Sequence, residues 1–281
     1  MMGAEENHVS SQPIVVATDL QARSDRAIDR ALMLGAEQDR PVAIVHVLEK
    51  ECEDEEQRAR AEMLVRRVLP DPEGEVQLLL PCGSAPKIIA RVAGELDAAL
   101  LVAGVASFNE LRDYFLGTAV DYIVRHAAMP VLVIKDRPHS PYRRLLVAVD
   151  FSEASKHALL AAARLFPDAH LDVVNAYHVP FEGWQSGEET REEMTRYAQG
   201  ELDAFLADPE LAAIPAERIT ARLGYGGTQE VVHQALARDN PDLLVLGTTG
   251  SSGLRHATLG SQANALLSSA TVDTLMVPKP R

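Results

Sequence analysis

Short apolar runs alternate with longer stretches of helical period along the whole chain. The first half reads "IVVAT" from Ile14, "VAIVHVL" from Val42, "VQLLL" from Val76, "ALLVAG" from Ala99 and "PVLVI" from Pro130. The second reads "LLVAV" from Leu145, "LDVVNAYHV" from Leu171, "ITARLGY" from Ile219, "LLVLG" from Leu243 and "TLMVP" from Thr274. Between them lie segments such as "APKIIARVAGEL", where Ile88, Ile89, Val92 and Leu96 fall on one helical face and Pro86 sits in the first turn. Nearly continuous apolar strands alternating with helices predict parallel sheets covered on both faces. Five strands are expected in each half. In such sheets ligands sit beyond the carboxyl ends of the strands, where the strand order switches.

The pattern occurs twice because the sequence does. "VVATDLQARSDRAIDRALML" from Val15 lies on "LVAVDFSEASKHALLAAARL" from Leu146, placing Asp19 on Asp150 and Ser24 on Ser155. "LLVAGVASFNELRDYFLGT" from Leu100 lies on "LLVLGTTGSSGLRHATLGS" from Leu243, placing Gly104 on Gly247 and Gly117 on Gly260. A period this long marks a duplicated domain rather than a solenoid unit. The offset grows from 131 residues at the aspartates to 143 at the last glycines, so the second copy carries an insertion, assigned to the stretch that begins at Pro180. Domains are expected at 1–137 and 142–281, joined through the proline-bearing "DRPHSPYRR".

The stretch "GTTGSSGLRHATLGS", Gly247 to Ser261, carries the candidate chemistry. Gly247, Gly250, Gly260 and Ser261 form a G-x2-G-x9-G-S pattern directly after the fourth apolar run of the second copy. Glycines allow a turn at positive φ and a close backbone approach to a ligand. Successive N–H groups can then converge on phosphate oxygens, and the helix that opens at "SQANALLSSA" would favour negative charge at its amino end.

With "VAVDFS" at the first strand, this spacing resembles the universal stress protein family, once per copy. The resemblance implies two Rossmann-like α/β domains of the adenine nucleotide alpha hydrolase-like type. Each would be a five-stranded parallel sheet flanked by helices. It also implies that the final strand of each copy meets the other in an intramolecular pseudo-dimer, with a further homodimer left open. In family members that bind ATP or AMP, with or without Mg2+, the matching residues here are Val149, Asp150, Gly247, Thr248, Gly250, Ser251, Gly260 and Ser261. Asp150 would face the nucleoside, and the glycine loop would hold ribose and phosphates. Asp150 could equally cap its own turn through an Asx bond. Ser261 could serve as a plain N-cap. Arg255 and His256 could neutralise a γ-phosphate or lie in solvent.

The first copy departs from the motif. It reads Gly104, Ser107, Gly117, Thr118, and "FNELRDYF" brings Phe108 and Tyr114 where small residues stand in the second. Asp19, Gly104, Ser107, Gly117 and Thr118 therefore form a degenerate candidate site, and the second copy is expected to be the main one.

Composition narrows the rest. A net charge of −14 gives no basic footprint for nucleic acid or anionic membranes. No apolar run is long enough to span a bilayer. Cys52 and Cys82 have no CxxC spacing, so disulfide and zinc frameworks are not expected, and a reduced, cytoplasmic protein is; the family resemblance implies a bacterial source. Cys82, between a strand and a helix, has a position where a thiol can be activated. No Walker A sequence, dinucleotide fingerprint or metal-spaced histidine pair occurs. Trp184 falls in the insertion, where packing suffices to explain it. With no positioned base, no enzyme is expected, and at most a slow ATPase. The leading expectation is a stress-response regulator that binds an adenine nucleotide. The alternative is an interaction protein of the same fold acting through partners or another small ligand. A nucleotidyl transferase would need HxGH or SGGxDS signatures that are missing.

Overall fold

A computed structural model describes residues 12–48, 54–105, 107–108, 114–115, 117–178, 188–248 and 259–280. The first half runs β1 (Ile14–Ala17), α1 (Ala22–Gln38), β2 (Val42–Val45), α2 (Glu55–Val68), β3 (Gln77–Leu79), α3 (Ala85–Glu95) and β4 (Leu100–Gly104). A short hairpin, β5 (Ser107–Phe108) and β6 (Tyr114–Phe115), precedes α4 (Gly117–His126) and β7 (Val131–Ile134). The second half runs β8 (Arg144–Ala148), α5 (Glu153–Leu165), β9 (His170–Tyr177), α6 (Glu188–Leu206), β10 (Ile219–Tyr225), α7 (Thr228–Asp239), β11 (Leu243–Gly247), α8 (Ser261–Ser269) and β12 (Asp273–Val277). Two 3-10 turns, Leu211–Ala213 and Ala216–Arg218, stand between the long α6 and β10.

The ten long strands form one sheet in the order β10-β9-β8-β11-β12-β7-β4-β1-β2-β3. Pairing within each half is parallel. The halves meet antiparallel, with Leu275 opposite Leu132 and Thr274 opposite Val133. Each half thus closes the apolar edge of the other, which removes an exposed edge that would otherwise template aggregation. One face packs α1, α2, α5 and α6 through residues such as Ile28, Val65, Leu159 and Phe205. The other packs α3, α4, α7 and α8 through Ile89, Ile123, Val232 and Leu267. Both layers run across the junction without a break. The order switches between β1 and β4 and between β8 and β11.

Local signals explain the ends of several elements. Asp54 caps α2 by accepting from the amides of Glu56 and Gln57. Ser152 caps α5 through the amide of Ser155. Asp39 and Asn240 close α1 and α7 in the left-handed conformation.

Polar groups also cross the junction. Lys135 is fully buried, and its Nζ donates to the carbonyls of Leu267 and Ala270 at the end of α8, both at 2.7 Å. Burial pulls its ammonium pKa down to about 7, against the opposing pull of Asp273 and Asp136. Asp273 accepts from the backbone amides of Lys135 and Asp136. Arg30 lies 4.0 Å from the centre of the Tyr142 ring and 3.9 Å from the Asp273 carboxylate.

The structure corrects one expectation from the cysteines. Cys82 is disulfide-bonded. The chain's other cysteine, Cys52, lies outside the described residues. Cys82 forms an isolated parallel β-bridge with Leu48, just past the end of β2. A bonded sulfur is no activated thiol, so the reactivity considered for Cys82 does not apply.

Candidate nucleotide site

The site begins where the sheet opens. In the first half the β1–β2 ladder continues to the bond from the Thr18 amide to the Val45 carbonyl. The Thr18 carbonyl is then met by Nδ1 of His46 at 3.0 Å. A carbonyl only accepts, so Nδ1 carries the proton. The second half repeats this construction: the Val149 amide donates to Val174, and Asn175 Nδ2 donates to the Val149 carbonyl at 2.9 Å. In both halves a side-chain N–H satisfies the carbonyl from which the next strand has splayed. Val149 itself is buried.

The chain then turns sharply. Leu20 and Phe151, each following the strand-end aspartate, have φ of 59° and 60°. Left-handed backbone at a non-glycine residue is uncommon and concentrates at functional turns. The aspartates hold it. Asp19 Oδ1 accepts from the Gln21 amide and the Ser24 hydroxyl, and Oδ2 from Arg23. Burial opposes ionisation of this carboxyl, but Ser24, Gln21 and Arg23 outweigh it and hold the pKa below the usual value. Asp150 Oδ1 accepts from the amide and hydroxyl of Ser152. Both aspartates therefore make the Asx turn, and both are exposed toward the strand ends.

The glycines differ in what they require. A Cβ on Gly104 would stand 3.2 Å from the carbonyl oxygen of Arg23, and one on Gly247 3.2 Å from that of Ala154. The fourth strand of each half thus passes tightly under the first turn of its first helix, which is a packing reason for glycine independent of any ligand. Gly117 has φ of 71°, the region that favours glycine. Gly260 has φ of −57°, which any residue adopts. Gly260 occupies the N-cap position of α8 and Ser261 is its exposed first residue, so Ser261 is not the cap that the sequence allowed. The Gly260 amide donates to the Thr248 carbonyl at 2.9 Å, and the Thr248 amide donates to Val277. These bonds bring the two ends of the glycine loop together. Gly250, Ser251, Arg255, His256 and Trp184 lie outside the described residues.

The first-half residues converge on a cavity of about 840 Å³ at the carboxyl ends of β1, β2 and β4. Asp19, Gly104, Gly117 and Thr118 all line it. So do residues the sequence did not single out: His46, Arg60 and Leu64 among them. The size falls within the range of small-molecule sites. Ser107 stands in β5, paired opposite Phe115, rather than in an open glycine-type loop.

The family model for universal stress proteins matches the chain twice, over residues 10–135 and 141–278. The chain belongs to the universal stress protein family. A universal stress protein of Mycolicibacterium smegmatis is 25% identical over 313 aligned positions, covering 95% of this chain and 97% of that relative. A universal stress protein from Archaeoglobus fulgidus, 16% identical, superposes with a TM-score of 0.68 over 96% of this chain and 99% of its own. That likeness shows the shared fold. A universal stress protein solved in complex with cAMP is 26% identical, with a TM-score of 0.37 over 50% of this chain and 99% of its own. Among the described residues no helix is long and apolar enough to cross a membrane, and no group of three metal-ligating side chains occurs.

Proposed function

We propose that this universal stress protein binds an adenine nucleotide at the carboxyl ends of its strands and acts as a ligand-responsive regulator in the stress response. The observation that carries the reading is the first-half cavity, where Asp19, Gly104, Gly117 and Thr118 come together. The second half supplies the same turn at Asp150, the same close passage at Gly247 and a loop closed by Thr248 and Gly260. It also holds the intact glycine motif, which makes it the better candidate for ATP. In this reading Val149, Asp150, Gly247, Thr248, Gly250, Ser251, Gly260 and Ser261 line the second site. The first-half cavity fits a nucleotide chemically: apolar walls from Leu48, Leu64 and Ile89 suit a base, and the amino end of α4 suits an anion. Ligand shifts conformation or partner choice only through its differential affinity for the states involved.

The test is extraction of small molecules from freshly purified protein, followed by titration with ATP, with Gly250→Val in parallel. Saturable binding that weakens in the variant supports the reading. A folded wild type that carries and binds no adenine compound sinks it and favours the interaction-protein alternative.

A further inference from the structure

Where the sheet splays, each half fixes the orientation of one side chain. The Thr18 and Val149 carbonyls only accept, so the groups that meet them must be N–H: Nδ1 of His46 and Nδ2 of Asn175. The atom on the other side of each group is thereby settled. It is Nε2 in the neutral imidazole and Oδ1 in the amide, and both are acceptors. Among the described residues no hydrogen bond reaches either atom. Asn175 is only 7% exposed, yet its Oδ1 is not closed off. The buried side-chain polar atoms without a partner are Asp25 Oδ1, Arg30 Nε and Tyr225 Oη, so both acceptors keep an accessible surface. An acceptor held in one orientation and open at a strand end can take a donor from a ligand.

The two halves reach this arrangement with different residues. Capping the carbonyl alone would be served by any donor, lysine or arginine included. Histidine and asparagine belong to the few side chains that carry a donor N–H and an acceptor on separate atoms. Their place decides what the acceptor meets. Sheet order puts β1 between β4 and β2, and β8 between β11 and β9. In the first-half cavity Gly104 ends β4 and Gly117 opens the helix that leads to β7, so both lie on the β4 side. His46 lies on the β2 side, with Leu48, Ala61 and Leu64. A nucleotide laid along this edge with its phosphates toward the glycines brings its base to His46, or to Asn175 in the second half. Adenine presents an exocyclic amino donor to such an acceptor. Guanine and hypoxanthine present a keto oxygen at the same ring carbon, which sets two acceptors face to face.

We propose that His46 Nε2 in the first half and Asn175 Oδ1 in the second accept the amino group of an adenine base and set the preference for adenine over keto purines. The proposal rests on the adenine-nucleotide reading above and adds the residues that select the base. The bond from each residue's other nitrogen to the splayed carbonyl holds the acceptor in place.

The experiment is calorimetric titration of the full-length protein at pH 8 with ATP, ITP and purine riboside triphosphate, or with the matching monophosphates if AMP binds more tightly than ATP. The three bases differ at one ring carbon, which bears an amino group, a keto oxygen or hydrogen. Expected is an affinity for the adenine compound at least about tenfold above the other two. In the double variant His46→Leu with Asn175→Leu that ratio should fall below about threefold. The exchanged pair, His46→Asn with Asn175→His, should keep the native ratio. A purely structural role lowers all three affinities together and leaves the ratio unchanged in the leucine variant, which overturns the proposal. So does a native protein that binds the keto or unsubstituted purine as tightly as adenine. That result needs no variant and stands if the leucine variant does not fold. In both cases the nucleotide reading survives. Absence of binding by any adenine compound overturns the two together.

Discussion

The Tyr142 hydroxyl donates to the Asp273 carboxylate at 2.5 Å, joining the interdomain linker to the first residue of β12. Both residues are buried. Removing the carboxylate leaves the Tyr142 hydroxyl, the amides of Lys135 and Asp136, and the Arg30 guanidinium without their shared acceptor. Asp273→Ala is expected to cost about 3–5 kcal/mol of stability, as for breaking a buried charge network. Tyr142→Phe leaves the other donors in place and should cost about 1.5–3 kcal/mol, the range for a hydrogen bond to a charged group. Urea unfolding of the two variants checks the order.

Lys135 gives the fold a pH dependence with a definite sign. Its folded pKa is lowered to about 7 by burial, while an unfolded lysine titrates near 10.4. Between these values the unfolded chain binds more protons at this site, so stability rises with pH through that window. The slope approaches about 1.4 kcal/mol per pH unit. Below pH 7 both states hold the proton and the dependence ends. Melting temperatures from pH 6 to 9.5 should climb more steeply for wild type than for Lys135→Met. Equal slopes would contradict the assignment.

The two glycines that open the site helices should respond differently to alanine. Gly117→Ala forces a side chain into φ of 71° and is expected to cost about 1–2 kcal/mol. Gly260→Ala meets no such strain at φ of −57°, so its effect on stability should stay within about 0.5 kcal/mol. Thermal denaturation of both variants separates them.

Gly247→Ala probes packing rather than conformation. The new Cβ would stand 3.2 Å from the Ala154 carbonyl oxygen and 3.3 Å from its carbon. The first turn of α5 must give way, at about 1–3 kcal/mol. The packing cost should appear in the protein without nucleotide, measured by thermal denaturation before any ligand is added.

The strands and the duplication were legible because burial on both faces leaves apolar runs that nothing else in the chain imitates. The meeting of β7 with β12 followed from resemblance and from the need to cover two apolar edges. Four features were not legible. The Lys135–Asp273 cluster joins residues 138 positions apart, and in sequence "VIKDRP" reads as ordinary solvated charge. The hairpin at Ser107 was hidden because two-residue strands carry no period, and Phe108 and Tyr114 registered only as bulk. His46 stood inside an apolar run. Setting it against Asn175 in the other copy would have exposed it, since both positions hold a side-chain N–H donor where the sheet splays. The disulfide at Cys82 escaped because cysteine spacing carries no information about strands brought together by the sheet.

Titration of the native full-length protein with ATP, AMP and adenosine tests the central claim most directly. The account predicts saturable binding of adenine compounds, up to two sites per chain, weakened at the second by Gly250→Val. A folded, unmodified protein that binds none of the three at millimolar concentration would contradict it.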